Sequence, residues 1–225
     1  MNIKIIGLGG VGSILIERLC RFLNYSQVDT SFVVTLIDGD EYEDKNLERQ
    51  EFTRLGDKAE IKANDLKIKY LNLNIDYIID YINTDTISRG ISEKDIVFLC
   101  VDNHKTRMVV SNYCKTLNDV ILISGGNELT DGNVQIYIRK GGVDITPDLC
   151  AYHSEIATPT DRSPDEMSCE ELSKSEPQLY FTNLSVATIM CWAYYNVVVQ
   201  QNIDASEIYF DMSRMSVDAK TRIVK

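Results

Sequence analysis

The chain has no Cys-x-x-Cys pair, only two histidines, four prolines and one tryptophan, and no apolar run of membrane-spanning length. Without paired cysteines no zinc is expected. Without a long apolar run no membrane span is expected, and no signal peptide precedes the first predicted strand. Basic residues are outnumbered, 23 Lys and Arg against 34 Asp and Glu, for a net charge of −11. That balance argues against nucleic acid or an anionic membrane as the main partner. The six cysteines read as cytoplasmic thiols rather than disulfides. Cys20, Cys114 and Cys191 fall on predicted helices and Cys100 on a strand, as buried inert thiols. No repeat or low-complexity tract is present. A hydrophobic share of 44% over 225 residues suits one sizeable core.

The chain does have a glycine loop in the required setting. Asn2–Ile6 is an apolar run that reads as a buried strand. Gly7-Leu8-Gly9-Gly10-Val11-Gly12 follows, and a helix over roughly 11–23 carries Val11, Leu15, Leu19 and Phe22 at helical spacing. Gly7 permits the tight turn, Gly9 lets the backbone approach a phosphate, and Gly12 lets the helix pack on the sheet. The helix start offers N–H groups and a positive dipole end to an anion.

A second strand, Phe32–Ile37, ends in Asp38, whose carboxylate can accept both ribose hydroxyls. Asp40 follows closely. The chain then departs from a dehydrogenase pattern, with a polar segment, Glu41–Gln50, and a predicted helix over Asp57–Leu71. Within that segment Asn46, Arg49 and Gln50 supply an amide, a guanidinium and a second amide, and Arg49 suits forked phosphate contacts. Asp95–Val101 reads as a central parallel strand ending in Asp102. Asp102 or Asn103 could cap the helix 104–117, and Arg107 would hold loop or carboxylate geometry from behind.

Farther along, Ile75–Ile82, Val120–Ser124 and Asn133–Arg139 read as strands, the last half-buried and antiparallel. All four prolines lie within 141–177, so 141–178 reads as a long loop. Region 179–225 reads as an apolar helix, 179–199, followed by a pair of strands at 207–210 and 216–224.

Five motifs now stand in order: Gly7–Gly12, Asp38-x-Asp40, Asn46-Leu-x-Arg49-Gln50, Gly56-x-Lys58-Ala59-Glu60 and Asp102-Asn103-x-x-x-Arg107. Together they resemble the ThiF/MoeB/ubiquitin-activating-enzyme family, strongly over 1–140 and weakly beyond. Ser168–Glu171, with Phe181-Thr182-Asn183 opening an apolar helix, resembles the compact ThiF-type proteins of bacteria, plasmids and phages.

The resemblance implies a single Rossmann-like domain over 1–225. It would be a doubly wound α/β fold with a mostly parallel sheet and an antiparallel C-terminal extension. It implies ATP-dependent adenylation of the C-terminal carboxylate of a ubiquitin-like or sulfur-carrier protein with a Gly-Gly tail. Asp38 would hold the ribose; Asn46, Arg49 and Gln50 would position phosphates and the attacking carboxylate. Asp102, with Asp40 helping, would bind Mg²⁺. Such a reaction needs charge neutralisation and in-line positioning more than acid–base chemistry, and Mg²⁺ takes few carboxylates besides phosphates.

Lys58 fits the local motif and Lys62 the usual spacing from Arg49; Lys58 is the favoured phosphate lysine. Cys169, in the long loop, is the candidate for taking the activated acceptor, although Glu166, Glu170 and Glu171 would raise its pKa; His153 could assist. Relatives carry an N-terminal helix whose arginine reaches the partner subunit's ATP site, for which this chain has no room. A homodimer through the 180–199 helix and the 133–139 strand is implied. Alternatives are adenylation of a peptide or small carboxylate, a nucleotide-binding scaffold needing a partner, and an NAD(P)-dependent oxidoreductase, which leaves Asn46, Arg49, Gln50 and Asp102 without a role.

Overall fold

The computed structural model describes residues 1–26, 31–46, 50, 52–162 and 179–224. Five apolar runs form a parallel sheet: β1 (Ile3–Ile6), β2 (Val33–Ile37), β5 (Asn74–Ile78), β6 (Ile96–Leu99) and β7 (Val120–Asn127), in spatial order β5-β2-β1-β6-β7. Ile3 pairs with Val34 on one side and Ile96 on the other, so β1 is the central strand. The chain leaves β1 toward β2 and later returns to its other flank with β6. That reversal opens a crevice at the carboxyl edge between β1 and β6, where sheets of this kind bind ligands.

Alternation along the strands feeds two cores. Ile3, Ile5, Ile96 and Phe98 face one, with α1 (Gly10–Tyr25), α2 (Lys58–Lys69) and α6 (Tyr180–Tyr194). Ile6, Val97 and Leu99 face the other, with α4 (His104–Cys114) and α3 (Ile87–Gly90). Strands apolar on both faces are what a sheet covered by helices on both sides requires.

The antiparallel part continues the same sheet. β8 (Asp131–Lys140) folds back on β7, β10 (Glu207–Asp211) pairs with one end of β8, and β11 (Ser216–Lys220) closes the edge. The expected doubly wound sheet with an antiparallel C-terminal extension is therefore present.

Some boundaries differ from the sequence reading. β7 runs on through Gly125 and Gly126, because β8 keeps pairing with both. The missing Cβ atoms make room there: a Cβ at Gly125 would lie 2.4 Å from Met190 Sδ, and one at Gly126 2.8 Å from Arg107 Nη2. β5 stops at Ile78, before Tyr81 turns toward Asp40. The 179–199 helix is α-helical only to Tyr194 and passes into a π turn over Tyr195–Val199. The long loop holds β9 (Val143–Asp144), paired with β8, and a single helical turn, α5 (Ser154–Ala157). No helix among the described residues is long and apolar enough to cross a membrane.

Candidate active site

The glycine loop has the geometry its spacing implies. Gly7 has φ +87° and a Cβ there would lie 2.9 Å from Cys100 O; a Cβ on Gly12 would lie 1.9 Å from Gly7 O. Both positions exclude any side chain. Gly9, the cap of α1, differs, with nothing within 4 Å of where its Cβ would be. The backbone is thus open at the point where the first N–H groups of α1, from Gly10 onward, need an acceptor.

Asp38 ends β2 and is buried against that loop. Its carboxylate accepts the Leu8 N–H of the loop and the Asp40 N–H at 2.8 Å. Burial raises its pKa to about 6, and the Asp40 charge adds to the rise; Lys58 and the two backbone N–H groups oppose them.

Asp40 receives two side chains. The Lys58 ammonium lies 3.0 Å from its Oδ2, and the Tyr81 hydroxyl donates to its Oδ1. The Lys58 N–H also donates to Asp40 O at 3.0 Å, fastening the start of α2 to the β2–β3 turn, with β3 at Glu41–Tyr42 and its partner β4 at Gly56–Asp57. Lys58 and Lys62, four residues apart, do not point to one place. Lys62 lies 3.7 Å from Glu17 of α1 and sits over the Phe52 ring at 4.8 Å. Phe52 in turn stacks on Tyr42.

Asn46 closes a short 3-10 turn at Asp44–Asn46, where its Oδ1 accepts the Glu43 N–H at 3.0 Å. Gln50 N donates to Asn46 O at 3.1 Å, which carries Gln50 inward. Its Oε1 is buried and has no hydrogen-bond partner among the described residues. Arg49 and Cys169, with Glu166, Glu170 and Glu171, lie outside the described residues.

Asp102 is exposed on the β6–α4 loop. The helix cap is Asn103, which accepts the Thr106 N–H at 2.8 Å. That leaves the Asp102 carboxylate out of the capping role. Asp161 completes the cap by accepting the N–H groups of His104 and Lys105, a contact without a signal in the sequence. Arg107 is buried and holds the loop from behind, donating to Val101 O at 2.6 Å, Ser124 Oγ at 2.7 Å and Gly125 O at 2.7 Å. Burial lowers its pKa, yet guanidinium stays charged.

Sequence reasoning gives Tyr81 no role beyond a place in the strand 75–82, whereas the strand ends at Ile78. The signal was Gly39, set between two aspartates: a Cβ there would lie 2.8 Å from the Tyr81 ring. Among the cysteines, Cys20, Cys100 and Cys114 are buried and Cys191 is half-buried. Burial pushes the Cys100 and Cys114 thiols up to about 12 and Cys191 up to about 11. Such thiols carry almost no thiolate at neutral pH.

A glycine cradle, the buried Asp38 carboxylate, a buried lysine and the exposed Asp102 carboxylate thus lie at one sheet edge. The ThiF family's sequence profile matches residues 1–223. The chain belongs to the ThiF family. It is 27% identical over 153 residues to ubiquitin-like modifier-activating enzyme 5 of Gallus gallus, aligned over 61% of this chain and 37% of that protein. It is 32% identical over 139 residues to tRNA threonylcarbamoyladenosine dehydratase of Haemophilus influenzae, covering 58% of this chain and 49% of that one. Its fold superposes on E. coli MccB, in a crystal structure with MccA-N7isoASN, with a TM-score of 0.76 at 18% identity, over 100% of this chain and 64% of that chain. The chain therefore spans less than two thirds of the length of each of these proteins. Within this family the oxidoreductase alternative loses its ground.

Proposed function

We propose that the protein adenylates the C-terminal carboxylate of a peptide or small protein acceptor at the expense of ATP. The observation that carries this reading is the buried Lys58 ammonium, 3.0 Å from Asp40 and beside the ribose carboxylate Asp38. A lysine ammonium at this place can neutralise phosphate charge in a phosphoryl-transfer reaction. The open backbone at Gly9 and the buried Gln50 Oε1, without a hydrogen-bond partner among the described residues, also fit a bound nucleotide. Ubiquitin-like modifier-activating enzyme 5 points to a protein acceptor, and MccB, solved with MccA and with ATP, widens the class to peptides.

In this reading Asp38 accepts the ribose hydroxyls, and the α1 N–H groups and Lys58 bind phosphate oxygens. Gln50, Asn46 and Arg49 orient the two reacting anions. A carboxylate oxygen of the acceptor bonds to the α-phosphorus as the bond to the bridging oxygen of the β-phosphate breaks, and pyrophosphate leaves. No proton need move. Asp102 would hold Mg²⁺, which neutralises charge on the departing pyrophosphate when bound. Its exposed carboxylate, released from capping by Asn103, fits that role. Transfer of the acyl group to Cys169, assembly as a homodimer through α6, and a Gly-Gly-ended carrier remain parts of this proposal. So does a location in the cytoplasm.

ATP–pyrophosphate exchange with Mg²⁺, with and without a Gly-Gly-ended carrier or peptide, tests the reading beside an Asp102→Ala control. Acceptor-dependent exchange lost in the variant supports adenylation. Tight ATP binding with no exchange for any acceptor favours a nucleotide-binding scaffold.

A further inference from the structure

Two adjacent residues could start α4, and which of them does so decides what Asp102 can bind. Aspartate and asparagine serve equally well as helix caps, with the side-chain oxygen accepting the N–H two or three residues on. A cap at Asn103 uses the N–H of Lys105 or Thr106. A cap at Asp102 would use the N–H of His104 or Lys105. In the structure Asn103 is the cap: its backbone is extended, with φ −113° and ψ 143°, and its Oδ1 accepts the Thr106 N–H at 2.8 Å.

The N–H groups of His104 and Lys105 go to a residue from far along the chain. Asp161 Oδ2 accepts the first at 2.5 Å and Asp161 Oδ1 accepts the second at 3.2 Å. These are the two donors that Asp102 would need. Asp161 is half-buried and follows α5, whose Ile156 is buried in the same core as Val110 and Cys114 of α4. The segment that carries Asp161 is therefore packed against the helix it caps. On the other side of Asp102, Arg107 holds Val101 O at 2.6 Å. Asp102 and Asp161 both lie close enough to the Arg107 guanidinium to favour its charged form.

With Asp161 absent, two N–H groups and the positive end of α4 would be open to the carboxylate of Asp102, two residues before His104. Anions are stabilised at such a place, and side chains of this type readily take nearby backbone N–H groups. The cap would move back by one residue, and the Asp102 carboxylate would turn to the helix instead of the crevice.

We infer that Asp161 is a positioning residue that keeps Asp102 available to Mg²⁺ by occupying the two N–H groups through which Asp102 would otherwise cap α4. The inference rests on the adenylation reading and deepens it: metal binding at Asp102 is set by a contact from the long loop.

The test uses the full chain with Asp161→Ala, which removes both acceptors, Asp161→Asn, which keeps one, Asp102→Ala, and each Asp161 substitution combined with Asp102→Ala. Melting temperatures are measured without nucleotide or metal. ATP affinity is measured by calorimetry with Mg²⁺ and with a chelator, and the ratio gives the enhancement due to the metal. Because Asp102 takes over the cap, Asp161→Ala alone should lower the melting temperature little. In the Asp102→Ala background it should lower it by about 3 °C more, the size of one lost cap. The Mg²⁺ enhancement should fall roughly tenfold or more in Asp161→Ala, as for loss of a group that orients a metal ligand, and less in Asp161→Asn. Affinity in chelator should change little. Should Asp161→Ala not fold, Asp161→Asn carries the same comparisons. An unchanged Mg²⁺ enhancement would overturn the inference, and so would equal melting losses in the two backgrounds. An equal fall of ATP affinity with and without Mg²⁺ would also overturn it, as the mark of a general structural role. Asp102→Ala with the full Mg²⁺ enhancement overturns the metal role of Asp102 itself, an outcome distinct from the others because it is read in a variant that keeps Asp161.

Discussion

Lys58 and Asp40 form an ion pair at 3.0 Å while Lys62, one helical turn later, pairs with Glu17 at 3.7 Å. Two lysines one turn apart on α2 thus serve different neighbours. Lys58 is held at Asp40, close enough to Asp38 to lower its pKa, and Lys62 pins α2 to α1. Lys58→Met is expected to lower acceptor-dependent exchange about 100-fold, in line with loss of one aimed electrostatic group. Lys62→Met should change exchange only a few-fold and destabilise the fold by about 1 kcal/mol, through loss of a buried pair and its cation–π contact. Exchange rates and urea denaturation of both variants check the division.

Tyr81 shares Asp40 with Lys58, and Gly39 gives its ring room. Tyr81→Phe removes the hydroxyl that donates to Asp40, and nucleotide affinity should fall about five-fold, the size of one ordinary hydrogen bond. Gly39→Ala should destabilise the fold by roughly 1–3 kcal/mol through overpacking against the ring. Calorimetric ATP titration and thermal melts distinguish the two effects.

Asp38 has two pH consequences of opposite sign. Its folded pKa, about 6, lies above its ordinary value of 3.8. Its contribution to the stability of the nucleotide-free fold is therefore complete below 3.8 and lost as pH rises through about 6. In its proposed role at the ribose, Asp38 must be ionised, so nucleotide affinity should instead fall as pH drops through about 6. A titration of ATP affinity from pH 5 to 8 would show a midpoint near 6, and Asp38→Ala would abolish that dependence.

The C-terminal edge carries a separate titrating cluster. His153 pairs with Glu155 at 2.7 Å and with buried Glu207, which also accepts from Arg222 at 2.9 Å and from Tyr209. The Glu207 hydrogen bond raises the His153 pKa above 6.5, with burial opposing and Glu155 assisting. Burial pushes the Glu207 carboxyl up, but hydrogen bonds from His153, Tyr209 and Arg222 bring it down to about 2. The His153 contribution is full below 6.5 and lost as pH rises through its raised pKa; that of Glu207 is full above 4.5 and lost as pH falls toward 2. This cluster should therefore contribute most between pH 4.5 and 6.5. His153→Leu is expected to lose about 1 kcal/mol, roughly 3 °C in melting temperature, at pH 5.5 and less at pH 9, as parallel melts would show.

Much of the fold was legible because its signals are local. Continuous apolar runs at Ile3–Ile6 and Ile96–Leu99 mark strands buried on both faces, and Gly7, Gly9 and Gly12 mark a turn that only bare backbone can make. Asp38 and Asp102 were legible as carboxylates at strand ends. The strand at Gly125–Gly126 was cut short because two glycines ordinarily signal a break; pairing with β8 and the bulk of Met190 and Arg107 overrode that preference. The choice between Asp102 and Asn103 as cap could not be made from spacing, since either residue type serves.

The order of motifs along the chain by itself determined the family, the glycine cradle and the doubly wound sheet, because periodicity and turn chemistry are written in neighbouring residues. Only the tertiary structure decided that Lys58 rather than Lys62 meets Asp40, that Tyr81 reaches the same carboxylate, and that Asp161 completes the cap of α4. Each of these depends on which elements pack together across distances of tens of residues, and side chains that share one helical spacing diverge once different neighbours claim them.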